Sequence, residues 1–259
     1  MLARLDREAH LSRDLDTPGA FRHGGGTSIF VAVNSPPGPR TRNRFDREIL
    51  ALALPALGAL AADPLVSIVD TIFVGRLGVL PLAALGVNTS IFSMAFVVFN
   101  FLAYGTTPLV AREVGRGDRE AAGRVVVQAL VVAVLAGVVA VAFLQAFAGP
   151  ITAAMGARGE LQETSLSYLR IRAFAGPAVL IVTAGHGAFR GYLDTRTPLA
   201  VTIGLNLVNL VLDPLFIFGF GWGLEGAAIA TLIAQWGGAL WFVNLLLRRR
   251  REALGVSLC

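Results

Sequence analysis

Two long apolar runs without a charged residue set the strongest limit on what this chain can fold into. Residues 77–111 and 125–157 contain no Asp, Glu, Lys or Arg, and each is longer than the roughly 20 apolar residues that cross a bilayer as a helix. Of the 259 residues, 55% are hydrophobic and 15% are charged, and the mean hydropathy is +0.67. This pattern indicates an integral membrane protein in the lipid bilayer rather than a soluble globular domain.

The apolar runs predict an all-α membrane protein, a bundle of six transmembrane helices. The predicted spans are 49–74, 82–109, 125–148, 165–189, 198–219 and 224–247. An even number of spans puts both termini on one side of the membrane. Arginines concentrate in the 112–124 and 190–196 loops and in the run 248–251, so the positive-inside rule predicts that both termini are cytosolic.

Three regions follow from this division. Residues 1–45 are polar, contain GGG and PPGP sequences, and are predicted to be a disordered cytosolic leader. Residues 46–251 form the six-helix transmembrane lobe, and residues 252–259 form a short cytosolic tail. The leader also fits an organelle transit peptide, which its acidic residues disfavour, or a misassigned start codon.

Several function classes are excluded by residue content. The net charge of +5 comes from arginines that flank apolar runs without forming a basic aromatic surface, so we expect no nucleic-acid partner. Cys259 is the single cysteine, and the histidines His10, His23 and His186 lack the spacing of metal ligands, so no metal site or cofactor is predicted. No nucleophile and base arrangement is recognisable, and we expect that the chain is not an enzyme.

Three acids inside the predicted spans are conspicuous because a carboxylate within the bilayer costs about 2.5 kcal/mol or more. Asp63 and Asp70 lie seven residues apart in the first span and therefore share one helix face. Asp213 continues a polar ladder with Asn206 and Asn209, at spacings of three and four residues in the fifth span.

Both Asp70 and Asp213 fall in the outer half of outward-running helices, so they can meet. Two carboxylates that share a site repel each other, and one is then expected to hold a proton near neutrality. That is the chemistry of a proton or sodium relay. Two purely structural interpretations stay open: Asn206 as a polar contact between helices, and Asp70 as a helix-end acid exposed to water.

The predicted spans also contain two arginines and five prolines, whose positions lead to further predictions. Arg170 and Arg172 lie near the outer end of the fourth span, where we expect them to snorkel or to pair with Glu160 or Glu163. Prolines within a span free a backbone carbonyl and are expected to kink the helix. These prolines are Pro55, Pro64, Pro108, Pro177 and Pro214.

Three segments resemble the multidrug and toxin extrusion (MATE) family, particularly its DinF-like bacterial branch and related plant proteins. They are DPLVSIVDTIFVGRLG at 63–78, FRGYLDTRTPL at 189–199 and NLVNLVLDPLFIFGFGWGLEGAAIAT at 206–231. The resemblance runs from about Phe45 to Arg251. It implies that the six-helix bundle is equivalent to the amino-terminal lobe of a MATE transporter.

The resemblance also implies a site. Asp70 matches the first-helix acid of the family's cation-binding site, and Asn209 and Asp213 match its fifth-helix partners. Tyr168 and Thr231 match further members of the same polar cluster. Asp63 is an additional acid that is not general to the family. The implied coupling ion is a proton or sodium.

The resemblance predicts a secondary active antiporter that exports organic cations, drugs or other small amphipathic solutes, in the plasma (inner) membrane of a bacterium. Family members have two six-helix lobes, whereas this chain ends after the first. A homodimer or a separate second lobe would complete the cleft between lobes. The alternatives are an inactive truncated transporter or a membrane assembly partner, and a lipid-linked oligosaccharide flippase, which the acids and scarce internal arginines disfavour.

Overall fold

The computed structural model describes residues 50, 53–54, 57–58, 61 and 64–253, with side chains as far as residue 248. These residues belong to one compact unit, Arg44–Cys259, and they form helices and turns without a β-strand. The prediction of an α-helical fold is confirmed for this part of the chain. The predicted leader, Asp63, Pro55 and residues 254–259 of the predicted tail lie outside the described residues.

Nine helices, numbered in chain order, lie within the described residues. They are α1 (Pro64–Gly75), α2 (Val79–Val97), α3 (Phe101–Gly115), α4 (Arg119–Ala146), α5 (Ala148–Ala154), α6 (Glu160–Ala173), α7 (Gly176–Gly191), α8 (Arg196–Pro214) and α9 (Gly223–Ala253). A 3-10 turn, Val98–Asn100, joins α2 to α3, and a π-helical turn, Leu215–Gly219, follows α8.

Within the described residues, four continuous stretches are long and apolar enough to cross a membrane. They are Val79–Gly115, Arg119–Ala146, Arg196–Gly219 and Gly223–Arg248. Helices α6 and α7 together make a fifth candidate span, bent by 51°. These stretches coincide with the second to sixth predicted spans. The first predicted span, 49–74, is described only in part, as α1 and scattered residues before it, so the count of six remains a prediction.

The bend between α6 and α7 divides the fourth predicted span. Pro177 lies in the first turn of α7, where its missing N–H interrupts the helical hydrogen bonds. The Nε1–H of Trp236 donates to the backbone carbonyl of Phe174 at 3.2 Å, which satisfies a group near the break. A Cβ on Gly137 would lie 2.4 Å from the Cα of Pro177, so α4 packs directly against the bend.

The other described prolines behave differently. Pro214 ends α8 immediately before the π-helical turn, whereas Pro108 lies inside α3 without ending it. Pro64 begins the described part of α1. The expected disturbance of the helix is therefore clear at Pro177 and Pro214, and Pro108 is accommodated within a continuous helix.

Helix α7 is the centre of the bundle. It packs against α3, α4 and α9, and most of its residues are buried. A Cβ on Gly187 would lie 2.8 Å from the carbonyl oxygen of Ala103 in α3. The hydroxyl of Thr107 donates to the carbonyl of Gly187 at 3.0 Å. Small residues therefore bring two backbones close enough for van der Waals contact and an interhelical hydrogen bond, the usual basis of helix association in lipid.

We expect Gly187→Ala to destabilise the bundle by about 1–3 kcal/mol, because the added methyl group forces the backbones of α3 and α7 apart. Gly86→Ala is the matched control, since a Cβ at Gly86 in α2 meets no atom within 4 Å. The measurement is the thermal unfolding midpoint of both purified variants in the same detergent. An equal midpoint for the two variants would contradict the close packing at Gly187.

Candidate cation site

A cavity of about 360 Å³ is lined by residues of α1, α2, α6, α8 and α9. Its volume lies in the range of small-molecule pockets. Four of the five site residues predicted by resemblance line it: Asp70, Tyr168, Asn209 and Thr231. The fifth, Asp213, contacts Asp70 and Asn209. Residues far apart in the sequence thus form a single polar cluster.

The carboxyl groups of Asp70 on α1 and Asp213 on α8 lie in hydrogen-bond contact. Asp213 is 1% exposed, and Asp70 is half-buried. An ionised carboxylate only accepts hydrogen bonds, so two carboxyl groups can bond to each other only when one carries a proton. Asp70 Oδ1 and Asp213 Oδ2 are buried with no other hydrogen-bond partner among the described residues. The geometry therefore fits one proton shared by the pair.

Asn209 joins this pair to α9. Its Nδ2 donates to Asp213 Oδ1 at 3.3 Å and to Thr231 Oγ1 at 3.4 Å. Asn209 and Asp213 are four residues apart, so one face of α8 presents both. The Thr231 hydroxyl donates to the carbonyl of Ala227 at 2.9 Å, which leaves its oxygen oriented to accept from Asn209. Asn209 thereby fixes the orientation of the Asp213 carboxyl group.

The other wall of the site is on α6 and α2. Tyr168 is 6% exposed and lies beside Arg172. The guanidinium carbon of Arg172 lies 5.2 Å from the ring centroid of Phe92 on α2, which is cation–π geometry. Arg172 also lines the cavity. Its positive charge acts on both carboxyl groups of the pair.

The expected pairing of Arg172 with Glu160 or Glu163 is not found among the described side chains. None of the ion pairs within the described side chains joins Arg172 to Glu160 or Glu163, and its guanidinium group turns inward to the cavity. A signal was present, because Arg172 follows Tyr168 by one helical turn and shares its face. Arg170, two residues earlier, is exposed and does not line the cavity.

Several polar cavity residues were not predicted from the sequence. They are Ser67, Thr71, Thr89, Ser93 and Gln235. Two of their hydroxyls bond to backbone carbonyls one turn earlier, Thr71 to Ser67 and Thr89 to Leu85, as polar residues in membrane helices commonly do. Asn206 lines the same cavity and is 9% exposed. The cavity therefore offers neutral donors and acceptors around its charged groups.

Comparison with known proteins gives consistent matches over most of the chain. The MatE family model matches residues 55–215. Protein DETOXIFICATION 44, chloroplastic, from Arabidopsis thaliana is 38% identical over 211 residues, which cover 74% of this chain and 39% of that protein. Probable multidrug resistance protein NorM from Thermotoga maritima is 29% identical over 212 residues, which cover 80% of this chain and 46% of that protein.

A solved structure gives the same result. It is described as the outward-facing conformation of a multidrug resistance MATE family transporter of the MOP superfamily. It matches with a TM-score of 0.74 and 28% sequence identity, over 82% of this chain and 47% of that one. The chain thus spans about half the length of the proteins that it matches.

We expect Asn209→Leu to destabilise the protein by about 1–3 kcal/mol, because Asp213 Oδ1 loses its donor while it stays buried. The two side chains are similar in size, so lost packing contributes little. Asn100→Leu is the control, since Asn100 is exposed on the turn between α2 and α3. The measurement is the unfolding midpoint in detergent; equal midpoints for the two variants would contradict the role of Asn209.

Proposed function

We propose that this chain, which belongs to the MatE family of multi-pass membrane transporters, forms one lobe of a secondary active antiporter. The antiporter exports organic cations, drugs or other small amphipathic solutes in exchange for protons or sodium. The names of two matched proteins support this choice of substrate, since both are described as multidrug resistance proteins. Asp70, Tyr168, Asn209, Asp213 and Thr231 form the coupling site.

The single observation that carries the proposal is the buried contact between the carboxyl groups of Asp70 and Asp213. With a shared proton, the contact is an attractive hydrogen bond. Without the proton, two negative charges would lie in contact with little water to screen them, which costs several kcal/mol. The pair therefore needs either a proton or another cation. When neither is bound, repulsion between the two carboxylates acts to separate α1 from α8.

Competition for these carboxyl groups provides the coupling. A proton and a cationic substrate stabilise the same negative charge, so the binding of one weakens the binding of the other. A ligand shifts a conformational equilibrium only by as much as its affinities for the two states differ. The state that the proton stabilises, with α1 and α8 joined through the carboxyl pair, therefore differs from the state that the substrate stabilises.

The chain covers 39% to 47% of the proteins that it matches, and we propose that a second lobe completes the transport path. A second copy of this chain or a separate six-helix chain would supply it, so that the cavity of this lobe opens into a substrate cleft between the two lobes. Both termini are proposed to be cytosolic, because the positive-inside rule assigns the arginine-rich loops to that side. The proposed location is the plasma (inner) membrane of a bacterium.

A second candidate function stands beside the first. The chain is then an inactive fragment of a transporter or an assembly partner for another membrane protein. Such a chain retains the carboxyl pair but gives no transport. Reconstitution of the purified chain into liposomes distinguishes the two candidates, since an antiporter exchanges solute for protons or sodium across the bilayer and a fragment does not.

We expect Asp213→Asn to reduce ion-driven efflux of a fluorescent organic cation to background, because an amide cannot release a proton or carry the negative charge. Asp118→Asn is the matched control. Asp118 caps the amino terminus of α4 through the backbone N–H of Ala121 at 2.8 Å, and Asn is an equally good cap. The measurement is dye efflux from proteoliposomes after an imposed proton or sodium gradient.

Unchanged efflux in Asp213→Asn would overturn the coupling role of the carboxyl pair. Loss of efflux in both Asp213→Asn and Asp118→Asn would point to general damage rather than to coupling. A wild-type chain that gives no efflux under either gradient would support the fragment or assembly-partner candidate.

A further inference from the structure

Arg172 has no part in the proposed function as stated, although it is a permanent cation at the coupling site. It lines the same cavity as Asp70, Tyr168 and Asn209. Its guanidinium group is held between the Tyr168 side chain and the face of Phe92. An arginine beside a buried acid pair changes the charge of the site by one full unit, and that change bears on which coupling ion the site accepts.

We propose that Arg172 is a built-in counter-cation of the Asp70–Asp213 pair that excludes sodium, so that the site couples to protons. This inference rests on the proposed function, because it concerns the choice of coupling ion at the same site. It identifies Arg172 as a specificity-determining residue.

Charge supports this assignment. Among the described groups around the cavity, the ionisable side chains are Asp70, Asp213, Arg172 and Tyr168. With one shared proton, the acid pair carries one negative charge, which Arg172 balances. When the O–H bond breaks and the proton leaves to water, the site carries a net charge of −1 instead of −2. The attraction for an added small cation is correspondingly weaker than it would be without the arginine.

Coordination chemistry supports the same choice. A hard metal cation needs several oxygen ligands, and the oxygens here come from the two carboxyl groups, the Asn209 amide and the Thr231 hydroxyl. A proton needs only the two carboxyl oxygens that are already in contact. The positive charge of Arg172 weakens the binding of a proton and of sodium alike. The proton is still held, because it forms a covalent O–H bond between two oxygens already in contact, whereas sodium depends on weaker coordination by several ligands and is displaced.

The cation–π contact with Phe92 holds Arg172 at the cavity wall, beside Tyr168. Its guanidinium group therefore stays next to the carboxyl pair.

The test measures binding of radioactive sodium to the full-length chain in lipid nanodiscs, at a pH above neutrality and with excess potassium. We expect Arg172→Gln to bind sodium about tenfold or more tightly than the wild type, because one repelling charge is removed. Arg170→Gln is the matched control, since it removes the same charge from the same helix outside the cavity and should behave as the wild type. Sodium binding by the wild type equal to that of Arg172→Gln would overturn the proposal.

Two further measurements separate the modes of failure. Arg172→Lys keeps the charge and should still exclude sodium, so it tests the proposal if Arg172→Gln does not fold. Sodium binding by a folded Arg172→Lys overturns the proposal.

Infrared difference spectroscopy of the wild type detects the protonated carboxyl group directly. If its deprotonation is unchanged when sodium replaces potassium, the proposal is supported, and a sodium-dependent change overturns it. If Asp213→Asn removes no carboxyl signal from the wild-type spectrum, the proposed function is refuted instead.

Discussion

The hydrogen-bond contact between two buried carboxyl groups imposes the most demanding condition in this molecule. Asp70 and Asp213 are separated by more than half of the chain, yet their side chains meet where α1 and α8 face the same cavity. A charge removed from water must be neutralised by a proton, a cation or a hydrogen-bond donor. Each neighbouring polar group meets part of that need: Asn209 donates to Asp213, Thr231 accepts from Asn209, and Arg172 supplies positive charge.

The surrounding helices hold these groups in position through close backbone packing. Helix α7, with its small residues against α3 and α9, forms a rigid centre. Helix α8 ends at Pro214, next to Asp213, and continues into a π-helical turn, a wider winding that is often found at functional sites. A Cβ on Gly226 in α9 would lie 2.8 Å from the backbone of Phe216 in that turn. The segment after Asp213 is therefore fixed against α9, so the position of Asp213 is determined on both sides.

The acids of the site could be predicted from the sequence because burying a carboxylate in lipid is costly enough to require a reason. Helical spacing then placed Asn209 beside Asp213, and depth along the spans predicted that Asp70 would meet Asp213. Tyr168 and Thr231 came from the resemblance alone, since a tyrosine and a threonine in a membrane helix are too common to be informative.

The position of Arg172 on the cavity wall could not be predicted from the sequence for a physical reason. The predicted span was taken as straight, but it bends by 51° between α6 and α7. Tyr168 and Arg172, which lie before the bend, line the cavity. The bend depends on tertiary contacts, such as Gly137 against Pro177 and Trp236 with Phe174, which no local pattern reveals.

The charge count at the site bears on which form of the cavity can close. An occluded cavity excludes bulk water, so a net charge inside it raises the free energy of the occluded state. With the shared proton, the charges of Asp70, Asp213 and Arg172 sum to zero; without it, they sum to −1. The deprotonated site is thus the form least able to close. Within the proposed function, protonation of the carboxyl pair restores neutrality, so the electrostatic free energy favours closure of the protonated form over the deprotonated one.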